Sequence, residues 1–407
     1  MAVAALAVAF AAAGVAYWQR QHASPPSPVT RVAIRVPCDD PARCAVAEAL
    51  ALDVWTEHRS PGEPFDIVVA SDMLPVLDAH QIVWQMLVPD IDELARAEAE
   101  RLRRPAALRP ADWFAEYHDY NDISEHVRQL ALLAPDRASL HAIGASVEGR
   151  PLWALRIGGQ HADATPMLIN GTQHAREWIA AMVTTCVADR LVRDYQNDSA
   201  IRDFVDSTEL WVVPVANPDG YQYSWGNDRF WRKNRHGRHG VDLNRNFSVA
   251  WGGRGSSKNE RAENYHGEYA FSEPETIALR DLAMHEQIAL HVDFHAYGQL
   301  VMYPWGYTAK PADDRDRFAA VGDNIASAMF ATHEKRYKLM QSVELYPAGG
   351  TMMDWMYGEA RAQSFTIELR PGPWPDSGRY GFVLPPEQIR PTCDEGLAAV
   401  LALRRSH

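Results

Sequence analysis

The chain of 407 residues has only four cysteines and no Cys-x-x-Cys pair, which excludes a disulfide-held scaffold and a structural zinc module. Positive charge is scarce as well: 40 Lys and Arg stand against 53 Asp and Glu, a net charge of −13. Nucleic-acid binders draw affinity from basic groups that neutralise phosphates, so this balance argues for no nucleic acid as partner. Only five of the basic residues are Lys, a skew that reads as genomic base composition rather than chemistry. The chain lacks the Gly-x-Ser-x-Gly elbow of a serine hydrolase and has no internal repeat. Its 47% hydrophobic and 23% charged content is close to the globular average. That rules out collagen, coiled coil, a multi-span membrane protein and a mainly disordered chain. At ~100–200 residues per domain, the length fits two or three domains, or one large catalytic domain with a small companion. A soluble globular enzyme is the expectation.

Residues Met1–Trp18 carry no charged side chain. This run is long for the core of a signal peptide and short of the ~20 apolar residues of a span. Gly14 and Ala16 suit cleavage after Ala16, but no basic residue precedes the run, so an uncleaved anchor is the alternative. Ser24-Pro25-Pro26-Ser27-Pro28 makes residues 19–30 an extended linker. A secreted or periplasmic protein follows, and such a compartment permits disulfides. Cys38 and Cys44 lie six residues apart around Asp39-Asp40-Pro41 and fit a local bridge. Cys186 and Cys393 read equally well as buried thiols or as a second bridge.

Residues 31–104 alternate element types: strand Arg31–Val36, helix Cys44–Leu52, strand Phe65–Ala70, short helix Leu74–Ala79, strand Gln81–Leu87 and helix Ile91–Arg103. This is a small α+β domain without any cluster of metal-ligand type. The basic run Arg101-Leu102-Arg103-Arg104 and a Pro/Ala linker over 105–112 follow. A basic run is commonly a solvated helix end, but between two domains of an exported protein it is also a protease target. From Trp113 to the C-terminus, 113–407, the expected strands are Leu152–Ile157, Pro166–Asn170, Leu210–Val215, Ala289–Phe294 and Phe365–Leu369. The expected helices are Trp178–Tyr195, Glu273–Glu286, Asp314–His333 and Glu387–Arg405. Short apolar strands separated by helices mean an α/β domain, a largely parallel or mixed sheet flanked by helices.

Chemistry first appears in Asn170-Gly171-Thr172-Gln173-His174-Ala175-Arg176-Glu177-Trp178, between a buried strand and a helix, where open α/β sheets place ligands. His174 and Glu177 are i and i+3, so one tight turn can aim both at a common point. Such a pair alone is usually a surface contact, and a third ligand changes the odds. His295, at the end of the strand in Val292-Asp293-Phe294-His295-Ala296, supplies it. His291 shares its face but lies farther from the carboxyl end. Two His and one Glu leave a fourth position open, as in catalytic zinc sites. Glu368 lies in the apolar strand Ser364-Phe365-Thr366-Ile367-Glu368-Leu369-Arg370, a costly place for a carboxylate unless paired or functional. Either it forms an ion pair with Arg370 or it is a general base near the metal. The runs Arg229-Phe230-Trp231-Arg232-Lys233 and Asp242-Leu243-Asn244-Arg245-Asn246 point to an anionic substrate, because guanidinium groups match carboxylates.

These motifs, with Asn217-Pro218-Asp219-Gly220-Tyr221, Phe271-Ser272-Glu273-Pro274-Glu275 and Tyr346, resemble the zinc metallocarboxypeptidases of the carboxypeptidase A/B type. The resemblance runs from about Trp113 to the C-terminus, and more loosely residues 31–104 resemble that family's ferredoxin-like activation segment. It implies one zinc ion held by His174, Glu177 and His295, with Asp242 holding the far nitrogen of His174. Arg232 would stabilise the oxyanion, and Glu368 would take a proton from the attacking water and pass it to the leaving amine. Asn244 and Arg245 would clamp the terminal carboxylate, Tyr346 would close over it from a loop with Gly349 and Gly350, and Arg229 would anchor the entry path. The specificity position corresponds to Met353, with Thr366, Gly306 and Met302 beside it, which implies large apolar or aromatic C-terminal residues. The alternative is that Met352 and Met353 pack the core and the pocket forms elsewhere. Ala296 departs from the Ser common in relatives, and no cysteine pair matches that of the vertebrate catalytic domains. The implied partners are peptide C-termini and an activating protease, and a monomer is expected. A zinc amidohydrolase or cell-wall carboxypeptidase on the same fold, or a non-catalytic binding protein, are the competing readings.

Overall fold

A computed structural model of the chain describes residues 29–56, 64–102, 111–372 and 381–407. The apolar leader 1–18, nearly all of the linker 19–30 and the junction residues 103–110 lie outside these. Among the described residues no helix is long and apolar enough to cross a membrane.

Two sheets organise the molecule. The first joins β1 (Arg31–Val36), β2 (Asp53–Val54), β3 (Phe65–Ala70) and β4 (Gln85–Val88) in the order β2-β3-β1-β4, all antiparallel. Along β1, Val32, Ile34 and Val36 pack with Ala47 and Leu77 of two covering helices. Ala33 faces the other way, with Val68 and Leu87, against Phe230, Phe382 and Val383. The first helix runs over Pro41–Leu50, earlier than expected, because the Asp40 side chain accepts from Ala42 N–H and Arg43 N–H and Pro41 occupies the first turn. The expected strand from Gln81 begins only at Gln85, since Gln81 is left-handed with φ 56°. The helix Ile91–Leu102 closes this unit.

The second sheet has eight strands: β5 (Ala138–Ala145), β6 (Pro151–Gly158), β7 (Thr165–Gly171), β8 (Thr208–Val213), β9 (Leu290–Ala296), β10 (Leu300–Tyr303), β11 (Lys338–Gln341) and β12 (Gln363–Leu369). Their order is β11-β10-β12-β9-β7-β8-β6-β5. The central neighbours β12, β9, β7 and β8 are parallel, while β6/β8, β5/β6 and β10/β12 are antiparallel, so the sheet is mixed. Met167 and Ile169 of β7 enter the core with the helices Trp178–Arg193 and Ile389–Arg405, whereas Leu168 enters a second core with Leu279 and Trp355. Burial on both faces accounts for the continuous apolar runs of these strands. The strands β5, β10 and β11 escape a hydrophobic reading. β5 is an edge strand whose His141 and Ala142 are exposed, and β10 and β11 are four residues each.

All four cysteines are bridged, Cys38 to Cys44 and Cys186 to Cys393. The second bridge ties the helix Trp178–Arg193 to the helix Ile389–Arg405 across a sequence separation of 207. Because β7, β9 and β12 run parallel, their carboxyl ends share one edge, where 172–177, His295 and Glu368 all emerge. Replacing Cys186 and Cys393 together by Ala is expected to lower unfolding stability by roughly 2–5 kcal/mol, more than the same change at Cys38 and Cys44, since the loop closed is longer. Denaturant titration under oxidising conditions measures both.

Candidate metal centre

The turn that leaves β7 is held in place by close packing. A Cβ on Gly171 would lie 2.5 Å from Thr184 Oγ1 and 2.9 Å from Ala180 O, so only glycine lets the helix start approach the strand end. Thr172 is left-handed with φ 62°, and its hydroxyl donates to Pro214 O at 3.1 Å. Glu177 occupies the cap position of the helix Trp178–Arg193. Its carboxylate turns instead to His174 and to the Ala296 amide, which donates to Oε2 at 3.1 Å.

His174 and His295 come together on Glu177. His174 Nδ1 is 2.7 Å from Glu177 Oε1, and His295 Nδ1 is 3.0 Å from Oε2. The two Nδ1 atoms are 3.1 Å apart. All three side chains are buried, and their ligand atoms lie within 4.8 Å of one another. His174 Nε2 donates to Asp242 Oδ1 at 3.2 Å and His295 Nε2 donates to Asp293 Oδ2 at 2.9 Å. A carboxylate can only accept, so both far nitrogens carry protons, and Nδ1 is the nitrogen each ring has left to turn toward a metal. Two imidazole nitrogens and a carboxylate converging in a buried space fit a cation that displaces their remaining protons, and this donor set is that of an open zinc site.

The charges around the centre respond accordingly. Burial alone would raise the Glu177 carboxyl, but His174 and His295 hold it well below the usual carboxylate range. Burial would lower His295, yet Asp293 and Glu177 raise it well above the usual imidazole value. Asp242 is likewise held far below its ordinary value, against burial, by Arg232, then Arg245 and His174. Arg232 donates to Asp242 Oδ2 through Nη2 at 2.8 Å and Nε at 3.2 Å. His291, the competing imidazole, is occupied by Asn170 and Ser364, and burial pushes it down to about 4.

Of the remaining expected site residues, Glu368 and Asn244 adjoin His295 directly. Glu368 stands opposite His295 in the parallel register of β12 and β9. Its proposed ion-pair partner Arg370 is committed elsewhere, donating through Nε to Glu395 at 2.9 Å and through Nη1 to Gln388 at 2.6 Å. Asn244 is 3.4 Å from His295 Nε2 and accepts the Met352 amide at 2.9 Å. Arg245 donates to Gly255 O, Asn244 O and, at 3.0 Å, to the Tyr346 hydroxyl, so the tyrosine is already beside it. Met302 pairs with Thr366 across β10 and β12, and the Gly306 amide donates to Asp354. Met352 packs into the core with Trp355, whereas Met353, buried as well, is not part of that cluster.

Arg229 lies with its guanidinium 3.6 Å over the Trp178 ring and pairs with Glu98 of the N-terminal unit at 2.9 Å. Three residues beside the centre were not singled out from sequence. Arg176, inside the His174–Glu177 motif, pairs with Asp53 at 2.9 Å and lies 4.4 Å from the Phe382 ring centroid. Tyr297 donates to Asp66 at 2.7 Å, and Asp66 also binds Arg35. Asp293 lies two residues before His295, on the same strand face, and that period was the available signal. The sheet of residues 31–102 thus faces the arginines flanking the centre.

Asp242 serves His174 and Arg232 together, so Asp242→Ala leaves a buried guanidinium without its carboxylate. A stability loss of about 3 kcal/mol is expected, with zinc affinity falling ~10–100-fold. Denaturant unfolding and chelator competition measure the two effects separately.

A zinc carboxypeptidase family model matches residues 123–399. Carboxypeptidase A4 of Mus musculus is 33% identical over 378 residues, covering 89% of each chain. Carboxypeptidase B of Astacus astacus is 38% identical over 299 residues, covering 71% of this chain and 96% of its own. Among solved structures, thrombin activatable fibrinolysis inhibitor superposes with a TM-score of 0.84 at 28% identity, covering 92% of this chain and 98% of its own. With the family's zinc-binding trio in place, the chain is a metallocarboxypeptidase, a member of the zinc carboxypeptidase family.

Proposed function

We propose that the protein removes large apolar or aromatic residues from peptide C-termini, is exported, and is made as a zymogen whose segment 31–104 is separated from the 113–407 domain by an activating protease that the basic run Arg101-Leu102-Arg103-Arg104 suits. The carrying observation is that Glu368 shares a rung with His295, while Asn244 lies 3.4 Å from His295 and its neighbour Arg245 meets Tyr346. When bound, zinc supplies a Lewis acid that polarises the scissile carbonyl and makes water easier to deprotonate. Asn244 and Arg245 bind the terminal carboxylate, and Tyr346 closes the carboxylate site from outside. Arg232 lends positive charge to the developing oxyanion; its link to Asp242 fixes the orientation of the guanidinium beforehand. Glu368 takes the proton of the attacking water and returns it to the leaving amine.

The apolar preference rests on Met353, Met302, Thr366 and Gly306. No carboxylate occupies the Met353 position, and the adjacent acid, Asp354, is committed to the amides of Gly306 and Tyr307. Burial pushes Asp354 up to about 7, which weakens its charge below that of an ordinary carboxylate. Zymogen character is supported by carboxylates of the N-terminal unit lying on Arg176 and Arg229, and by a structural relative that is by name activatable by thrombin. The two disulfides suit an exported protein. A single chain carries the whole centre, in keeping with a monomer.

Peptides that differ only in the last residue, each with a free and an amidated end, test the reading by mass spectrometry after limited proteolysis. Stepwise loss of terminal Phe or Leu, blocked by amidation and by a chelator, is expected; release of Lys or Arg instead would overturn Met353 as selector. Glu368→Gln is expected to abolish turnover while one zinc per chain stays bound. Metal analysis beside a rate assay checks this, and near-normal rates would remove Glu368 as the base.

A further inference from the structure

We propose that Asp293 is a positioning residue of the zinc centre: it fixes the tautomer of His295, and the hydrogen-bond chain behind it holds Asp293 in that role. The chain crosses three neighbouring strands on adjacent rungs. Asn170 of β7 is the register partner of Asp293, and Ser364 of β12 is the register partner of His291. By the strand period, His291, Asp293 and His295 share one face of β9.

Every proton in this chain has a forced direction. Asp293 Oδ1 accepts from Asn170 Nδ2 at 2.7 Å, and Oδ2 accepts from Gln173 Nε2 at 2.6 Å and from His295 Nε2 at 2.9 Å. With its amide nitrogen on a carboxylate, Asn170 must turn its oxygen to His291 Nε2, 2.8 Å away, so that nitrogen carries a proton. The neutral ring then accepts at Nδ1 from the Ser364 hydroxyl at 2.7 Å. Reversing Asn170 would require a new tautomer of His291 and a turned hydroxyl at Ser364, all in a buried space. Gln173 has no such constraint: its Oε1 is buried with no hydrogen-bond partner among the described residues. Any new donor at position 293 is therefore absorbed on the Gln173 and His295 side.

This asymmetry separates a positioning role from packing. In Asp293→Asn the amide nitrogen replaces Oδ2, Gln173 turns its spare oxygen to it, and the same NH2 donates to His295 Nε2. The His295 proton is then driven to Nδ1, the nitrogen that must bind zinc. Asp293→Ala is the larger structural insult, but it brings no new donor to His295 Nε2, where only the Asn244 amide remains, at the longer distance of 3.4 Å. The isosteric variant should therefore be the worse zinc binder, the opposite of what a packing role requires.

Zinc dissociation constants from chelator competition, with thermal unfolding of the metal-free forms alongside, test the idea. Asp293→Asn is expected to weaken zinc ~10–100-fold, more than Asp293→Ala, while its metal-free midpoint stays nearer the wild type. An alanine variant as weak as or weaker than the asparagine variant, or an asparagine variant that binds normally, would overturn it. Should neither variant fold, 15N-histidine NMR of the zinc-loaded wild type decides: protons on Nε2 of both His291 and His295 are expected, and a proton on Nδ1 of His291 would sink the chain. The inference rests on His295 as a ligand. A wild type that holds no zinc would overturn that reading too, whereas normal zinc binding with an indifferent asparagine variant removes only the role of Asp293.

Discussion

Two imidazole nitrogens held 3.1 Å apart, with a carboxylate against both, cannot be left without positive charge between them. The surroundings follow from this demand. Each ring needs its far nitrogen occupied by an acceptor, so Asp242 and Asp293 lie behind the centre. Those carboxylates are buried and must themselves be compensated, which Arg232 does at Asp242 and the amides of Asn170 and Gln173 do at Asp293. A metal ion at the front therefore has consequences two side chains deep. Because ligation requires neutral imidazole, zinc competes with the proton that His295 otherwise holds, and its apparent affinity falls as pH falls.

The N-terminal unit meets the larger domain by the same logic of charge. Asp53 and Glu98 lie on Arg176 and Arg229, whose side chains are almost fully buried, and Asp66 lies on Tyr297. The Trp55 ring stacks on Phe230 with 4.8 Å between centroids. Ion pairs this buried are strong only while both partners stay, and removing one leaves a stranded charge. The contact thus combines buried ion pairs with the apolar cluster around Phe230 and Phe382.

Much of this arrangement was legible in the sequence because one physical signal carried it. Strands buried on both faces are continuous apolar runs, so β3 was bounded from sequence to the residue and β6, β7, β9 and β12 to within two at either end. Polar residues that interrupt or end such runs, His295 and Glu368 among them, were visible for the same reason. What escaped had no periodic signature. The edge strand β5 is half exposed, β10 and β11 are short, and the pairing of Cys186 with Cys393 joins residues 207 apart. Arg176 carried no reading of its own inside the motif, although its neighbours on both sides drew attention. Asp293 was overlooked because a carboxylate beside a ligand looks like polarity at a strand end.

The position of these groups on strand ends, and not on long loops, bears on how firmly the centre is held. His295 and Glu368 occupy the same rung of the β9/β12 pair, so their relative placement is set by main-chain hydrogen bonds. Asn170 and Asp293 are fixed in the same way across β7 and β9. Only the 172–177 turn brings ligands from outside the ladder, and Gly171 and Thr172 hold that turn against the sheet. The groups assigned to the substrate carboxylate behave differently. Arg245 is anchored by carbonyls, but Tyr346 reaches it from the segment between Glu344 and Met352, which has no ladder of its own. If Arg245 and Tyr346 bind the substrate carboxylate as proposed, ligands fixed by the sheet and a carboxylate site closed from a loop let substrate enter without disturbing the chemistry. That division of stiffness is what a hydrolase needs when its ligands must stay within tenths of an ångström while its substrates differ in size.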